Sequence, residues 1–325
     1  MVTITEVAKK AGVSPTTASY ALNGRTCVKE ETRQRILEAA RELHYVPNRL
    51  AQSFRNGKTN MVTVITNEAI ESDNTFTGEF FGILAEARAN HYDVLVKLLD
   101  DREMSLEEIH ALFRNRTSDG FLFLGNLPEQ YLRCFSECNS CGVLLSAHTN
   151  VPMVQINCDG RKGIYDITQK AIRSGKKRPV YLAYGNVTIE EKLRRKGFIE
   201  ALQTVETNAE HAALVCGTNQ NDIETCVDKC LDRGADCFIC WNDILAYTVL
   251  DILKHKKISV PQQVAVSGFD DIQPTARKHI LTTVHQPLFE KGQMAMRLLL
   301  AQINNQPCEK GEHLIECEII SRKSL

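Results

Sequence analysis

Between Gly12 and Ser14 the chain leaves a single residue, Val13, in which to end one helix and begin another. Thr3-Ile4-Thr5-Glu6 has the form of a capping box, in which the Thr3 hydroxyl and the Glu6 carboxylate satisfy each other's exposed backbone N–H groups. The helix it opens carries Ile4, Val7, Ala8 and Ala11 on one face. Gly12 closes it, because glycine takes a positive φ without steric cost. Ser14-Pro15 then reads as an N-cap followed by proline at the first helical position. The second helix runs to about Leu22 and ends at Asn23-Gly24. Its side chains divide into Thr16, Thr17, Ser19 and Tyr20, expected to face outward, and Ala18, Ala21 and Leu22, expected to pack. A third helix, about Glu30 to Leu43, offers Ile36, Leu37, Ala40 and Leu43 to cover the pair. Two short helices joined by a glycine turn, the second rich in hydrogen-bonding side chains, make a helix-turn-helix.

Charge supports a nucleic-acid partner for this segment alone. Residues 1–60 hold ten Lys/Arg against five Asp/Glu, a local charge of +5, whereas the whole chain has a formal net charge of -1. A basic head on an acidic body suits a module that meets phosphate, carried by one that does not. No apolar run approaches the roughly 18 residues of a membrane span, and the N-terminus lacks a signal-peptide pattern. A cytoplasmic protein is expected. Its 12 cysteines then read as reduced thiols. Cys134, Cys138 and Cys141, and the Cys237/Cys240 pair, lack the fourth ligand or the spacing of a structural zinc site. Cys237-Phe238-Ile239-Cys240 reads instead as a buried strand with cysteine as a small hydrophobe. No metal and no cofactor is expected.

The headpiece resembles one family closely. Thr3 through Ser14, then Thr17-Ala18-Ser19, Ala21-Leu22-Asn23, Glu31-Thr32-Arg33 and Tyr45 through Ala51, are similar without a gap to the headpiece of the LacI/GalR regulators, from Val2 to Lys58. That resemblance implies base-reading roles for Pro15, Thr16 and Tyr20, and phosphate contacts from Thr3, Ser14, Thr17, Ser19 and Asn23; phosphate contacts set register while base contacts set sequence preference. Many relatives carry arginine where this chain has Tyr20, and Pro15 has no side-chain donor, so the operator sequence is expected to differ from theirs. The segment Asn48–Asn56 is too short for a stable isolated helix. By the resemblance it is a hinge helix, ordered on DNA and paired with its dimer mate in the minor groove, with Asn48 as a DNA contact, Ala51 small enough for close approach and Phe54 as the wedge that unstacks a base step.

Beyond a polar linker, Gly57-Lys58-Thr59-Asn60, short apolar runs alternate with helical segments. Val62–Ile65, Val94–Val96, Gly120–Leu124 and Val143–Leu145 form one set, with a helix near Glu79 to Asn90. Pro179–Ala183, Ala213–Val215, Cys237–Ile239 and Val264–Val266 form another. Alternation of this kind means βαβ units and parallel sheets, and two sets mean two lobes with a cleft between. No glycine-rich nucleotide loop and no Gly-x-Ser-x-Gly elbow follows any strand, which weakens the alternative of a metabolite-converting α/β enzyme. A sugar-binding protein without DNA function would lack the headpiece. The expected fold is therefore an all-α helix-turn-helix headpiece plus an α/β periplasmic-binding-protein-like core of two parallel-sheet lobes. The headpiece is assigned residues 1–46 and the hinge and linker 47–60. The effector-binding and dimerisation domain takes 61–325, one lobe about 61–157 with 288–315, the other about 158–287 with 316–325.

The resemblance extends through this domain. Lys192–Phe198 looks like the family's Arg-x-x-Gly-Phe segment and puts Arg194 in the cleft. Trp241-Asn242-Asp243 implies Asn242 toward the ligand and Asp243 as a helix cap, with the lone Trp241 available to stack on a sugar ring or to pack in the core. Val266 to Asp271 implies Asp270 toward the ligand, and Asn74-Thr75-Phe76 places Phe76 at the pocket wall. Ser146 stands where sugar-binding relatives often have aspartate, which leaves a plain hexose or pentose in doubt. His148 and the basic run 192–196 leave room for a phosphorylated or carboxylated effector. The expected protein is a non-enzymatic, operator-binding repressor, a homodimer controlled by a small polar effector such as a sugar or sugar derivative, with double-stranded DNA as partner and no membrane contact.

Overall fold

The computed structural model describes residues 2–22, 27–45, 58–67, 74–99, 105–115, 117–185, 188–205, 212–272 and 280–325. The chain divides between Asn60 and Met61 into a small N-terminal unit and a large one. In the first, α1 (Ile4–Ala11), α2 (Pro15–Leu22) and α3 (Glu30–Glu42) pack around Val7, Ala8, Ala18, Ala21, Ile36, Ala39 and Ala40. The capping box forms: Glu6 N–H donates to Thr3 Oγ1 at 3.4 Å and Thr3 N–H to Glu6 Oε2 at 2.7 Å. Gly12 takes φ 67°, and Thr17 N–H donates to Ser14 Oγ at 3.1 Å, capping α2. Lys10 and Glu42 form an ion pair that ties α1 to the end of α3.

The large unit holds two six-stranded sheets. The first comprises β1 (Met61–Thr66), β2 (Asp93–Leu98), β3 (Gly120–Leu124), β4 (Gly142–Leu145), β5 (Val154–Cys158) and β11 (Gly311–Ile315), in the order β11-β5-β4-β3-β1-β2, with every pair parallel. The second comprises β6 (Pro179–Tyr184), β7 (Ala213–Cys216), β8 (Cys237–Cys240), β9 (Ala265–Asp270), β10 (Thr282–His285) and β12 (Glu318–Ile320), in the order β12-β10-β9-β8-β6-β7. Among the described strands, only β12 runs antiparallel, against β10. The central strands are near-continuous Val/Ile/Leu/Phe runs because helices cover both faces. Around the first sheet lie α4 (Asn74–Ala89), α5 (Leu106–Arg114), α6 (Glu129–Glu137) and α11 (Leu288–Ile303). Around the second lie α7 (Gly160–Arg173), α8 (Ile189–Leu202), α9 (Gln220–Asp232) and α10 (Asp243–His255).

Two helix pairs approach at backbone distance, and both approaches bear on the cleft. A Cβ on Gly292 of α11 would lie 2.0 Å from the Glu79 carbonyl of α4, and one on Gly197 of α8 would lie 2.0 Å from the Arg161 carbonyl of α7. Only glycine permits either contact. The first sets Lys291 beside Glu79; the second brings Arg194 over Gly160. Cys237 and Cys240 are fully buried in β8, and their thiols are pushed up by burial. Among the described residues no helix is long and apolar enough to cross a membrane.

Candidate functional site

The cleft lies where the C-terminal ends of the strands of the two sheets meet, the usual ligand position in open α/β sheets. It encloses about 820 Å³ and is lined by all six residues expected there: Phe76, Ser146, Arg194, Trp241, Asn242 and Asp270. Phe76 is buried and stacks on Phe80 with ring centroids 5.5 Å apart. Ser146 and Asp270 follow or end their strands with φ of 53° and 112°, a backbone that costs non-glycine residues energy and clusters at functional sites.

Arg194 is the best-anchored group. Its guanidinium carbon lies 3.6 Å from the Phe269 ring centroid and 5.3 Å from that of Trp241. One Nη donates to the Trp241 carbonyl at 2.6 Å and the other lies 3.8 Å from Asp270 Oδ1. Arg194 Nε and the indole N–H of Trp241 are both buried without a hydrogen-bond partner among the described residues. Buried donors of this kind cost free energy until something accepts from them. Asp270 Oδ1 also accepts from Gln286 Nε2 at 2.7 Å.

One expectation at the start of α10 needs correction. Asn242, not Asp243, is the cap: its backbone is extended and its Oδ1 accepts from Leu245 N–H at 2.9 Å. Its amide nitrogen remains in the cleft, 3.5 Å from the Tyr184 hydroxyl. Asp243 is buried one residue inside the helix, accepting from Thr283 Oγ1 at 2.6 Å and Ile272 N–H at 2.7 Å. Burial pushes its carboxyl up to about 7, aided by Asp270 and Asp271 and opposed by those hydrogen bonds.

Ser146 closes a buried triad that no sequence signal announced. Lys291 and Glu79, each 1% exposed, contact at 2.6 Å. Lys291 Nζ donates to Ser146 Oγ at 2.6 Å, and Ser146 Oγ donates to Glu79 Oε1 at 2.5 Å. Burial alone would lower the Lys291 ammonium; Glu79 above all holds it above its ordinary value instead. His148 is committed as well, its ring nitrogens 3.4 Å from Glu190 and 3.1 Å from Glu312. From the run 192–196, only Leu193 and Arg194 line the cleft; Lys192 and Lys196 face solvent and Arg195 pairs with Glu191 at 3.3 Å. Charged lining therefore counts Glu79, Glu190, Asp270, Asp271 and Glu290 against Arg194 and Lys291.

In the headpiece, Thr3, Ser14, Pro15, Thr16 and Tyr20 are exposed and Thr17 is half-buried. Ser19 is a correction: only 4% of its surface is exposed. At 100° per residue it falls about 60° from Leu22, at the edge of the packed side of α2 that Ala18 and Ala21 also form, where its small size is tolerated. Asn23, Asn48, Ala51 and Phe54 lie outside the described residues.

The profile of "Bacterial regulatory proteins, lacI family" matches residues 3–48, and that of a "Periplasmic binding protein-like domain" matches residues 168–325. Catabolite control protein A of Priestia megaterium is 30% identical over 327 residues, covering 95% of each chain. Two solved structures share the fold. One is a Lac repressor dimer bound to operator and an anti-inducer, with TM-score 0.81, 21% identity and coverage of 99% of this chain and 98% of that one. The other is a complex of the transcriptional regulator CelR with cellobiose, with TM-score 0.69, 24% identity and full coverage of both chains. With its helix-turn-helix, its two-lobed core and a relative matched along nearly the whole of both chains, this protein belongs to the LacI family of bacterial regulatory proteins and is a DNA-binding transcription regulator, not an enzyme.

Proposed function

We propose that the chain represses transcription in the cytoplasm as a homodimer, its operator affinity set by a neutral, polyhydroxylated effector of the sugar class bound in the cleft. The observation that carries the effector reading is Arg194, held between two aromatic rings with an unsatisfied buried Nε, facing the Asp270 carboxylate and the Asn242 amide. That set offers a fork of donors and a fork of acceptors around an aromatic wall, which suits hydroxyls on a ring. The excess of lining carboxylates favours a neutral ligand over a phosphorylated one. The solved CelR relative is a complex with cellobiose, which supports the same class. A thermal-shift screen of neutral sugars, sugar phosphates and nucleosides tests this, since a ligand of the native state raises its apparent stability. A neutral sugar is expected to stabilise the wild type. Arg194→Ala is expected to weaken its binding at least roughly tenfold, the value of a charge-assisted hydrogen bond. A screen in which only anionic ligands stabilise the protein would rule the class out.

For DNA, residues 1–46 serve as the reading head, 47–60 as the hinge and 61–325 as the effector and dimer domain. Two heads on one dimer meet half-sites about one helical turn apart. Pro15, Thr16 and Tyr20 would read bases, while Thr3, Ser14, Thr17 and Asn23 would hold phosphates; Ser19, packed inward, would not. Asn48, Ala51 and Phe54 would engage the minor groove. The effector acts through its differential affinity for the two lobe arrangements that favour and disfavour operator binding. Tyr20→Ala is expected to cost about tenfold in affinity for a duplex selected from a random library, at one salt concentration, and to leave nonspecific binding unchanged. Equal losses on both DNAs would assign Tyr20 to the backbone.

A further inference from the structure

The chain passes between the two sheets three times: after β5, between β10 and α11, and between β11 and β12. Two of these crossovers carry a cysteine. Cys158 is the last residue of β5, and Cys317 with Glu316 forms the whole link from β11 to β12. The two links run side by side. Ile315 is the ladder partner of Cys158, and Asp159 N–H donates to the Ile315 carbonyl at 2.8 Å. Cys317 packs on α7, where a Cβ on Gly163 would lie 3.4 Å from its own Cβ. Any change in lobe orientation must bend or twist these links.

Its chemistry sets Cys158 apart from the buried core cysteines Cys216, Cys230, Cys237 and Cys240, whose thiols are all raised. Cys317 is the largest influence on the Cys158 thiol and lowers it, while Cys158 and burial raise Cys317; the Lys291 ammonium also favours the Cys158 thiolate. Cys158 lines the large cleft and a second cavity of about 400 Å³, so a small molecule can reach it. Cys237 and Cys240, by contrast, are fully buried and pushed up. Reactivity follows thiolate character and access.

We propose that Cys158 and Cys317 form a redox-responsive clasp, oxidised by a hydroperoxide to a disulfide that ties two of the three interlobe crossovers together. The Cys158 thiolate attacks the peroxide O–O bond, forming a sulfenic acid and expelling hydroxide or alkoxide, which takes up a proton. The Cys317 sulfur then attacks the sulfenic sulfur, forming the S–S bond and releasing the second oxygen as water, with the Cys317 proton balancing the step. Two thiols are oxidised by two electrons and one peroxide is reduced. The disulfide restrains movement of the lobes about their links, and a thiol reductant reverses it. This rests on the two-lobed fold and not on the identity of the effector.

The test uses the full-length protein, treated with hydrogen peroxide, alkylated and mapped as non-reduced peptides. A disulfide joining the peptides of Cys158 and Cys317 is expected, forming at least roughly tenfold faster than Cys237 or Cys240 is oxidised. In Cys317→Ser the reaction is expected to stop at a Cys158 sulfenic acid, trapped by dimedone. In the oxidised wild type, amide exchange across both links is expected to slow by roughly tenfold and to recover with dithiothreitol, an arm that needs no variant. A map lacking the Cys158–Cys317 peptide, or a disulfide that leaves exchange across the links unchanged, overturns the clasp.

Discussion

Lys291→Met is expected to destabilise the large domain by about 3–5 kcal/mol, the penalty for leaving one member of a buried ion pair alone. Glu79 and Lys291 are each 1% exposed and lie 2.6 Å apart. Without the ammonium, the Glu79 carboxylate keeps one described side-chain partner, the Ser146 hydroxyl at 2.5 Å. A neutral hydroxyl does not replace the attraction of an opposite charge in a poorly solvated site. Glu79 would have to take up a proton or draw in water. The companion variant separates charge from shape. Replacing both residues, Glu79→Leu with Lys291→Met, removes the uncompensated charge, and such swaps are often neutral or stabilising. The double variant is therefore expected to be more stable than Lys291→Met alone, by roughly 2 kcal/mol or more. Urea unfolding midpoints read both. A single variant within about 0.5 kcal/mol of wild type would mean that water already solvates the pair.

This pair also marks where sequence reading stops. The central strands were legible because a parallel sheet covered on both faces needs unbroken apolar runs, such as Gly120–Leu124. Strands β5, β10 and β11 were not, because Val154-Gln155-Ile156-Asn157, Thr282-Thr283-Val284-His285 and Gly311–Ile315 mix polar side chains into the run. Gln155 and Asn157 are buried nonetheless, satisfied by Thr149 and by the Ala147 carbonyl. In the headpiece the capping box, the Gly12 stop and the Ser14 cap are local devices, so they could be read directly. Ser19 misled because a hydroxyl is no guide to which side of an eight-residue helix a small residue occupies. The cleft residues came from motifs next to strand ends. Glu79 and Lys291, on helices far apart in the chain, meet only through the glycine contact between α4 and α11. Ser146 was noticed for the carboxylate it lacks; its actual partners required the fold. The cap fell to Asn242 and not Asp243 because either type caps a helix, and only the backbone decides which residue stands outside the first turn.

Asp243 supplies the second large effect, and it depends on pH. In the folded protein burial raises its carboxyl from the ordinary 3.8 to about 7, so between those values the native state holds a proton that the unfolded chain has released. Stability changes with pH in proportion to protons bound by the unfolded state minus those bound by the native state. That difference is negative here. The contribution of Asp243 is therefore fully present below about pH 4 and is lost as pH rises through about 7, on the order of 1.4 kcal/mol per pH unit. Asp243→Asn keeps an uncharged side chain at every pH. Its oxygen can still accept from Thr283, but its amide then faces the Ile272 N–H, a cost of about 1–3 kcal/mol that does not vary with pH. The stability gap between wild type and variant should thus shrink steadily from pH 4.5 to pH 7, by roughly 3 kcal/mol, with the variant ahead at pH 8 if the amide mismatch is at the small end. Other groups titrate equally in both proteins and cancel in the difference. A gap that stays flat across this range would show that Asp243 is ionised throughout. The same titration reaches the cleft, because Asp243 binds the backbone of Ile272, just beyond Asp270 and Asp271. Effector affinity in the wild type should then change near pH 7 and lose that change in Asp243→Asn, which ties the buried carboxyl to the strand end that holds the cleft-lining Asp270.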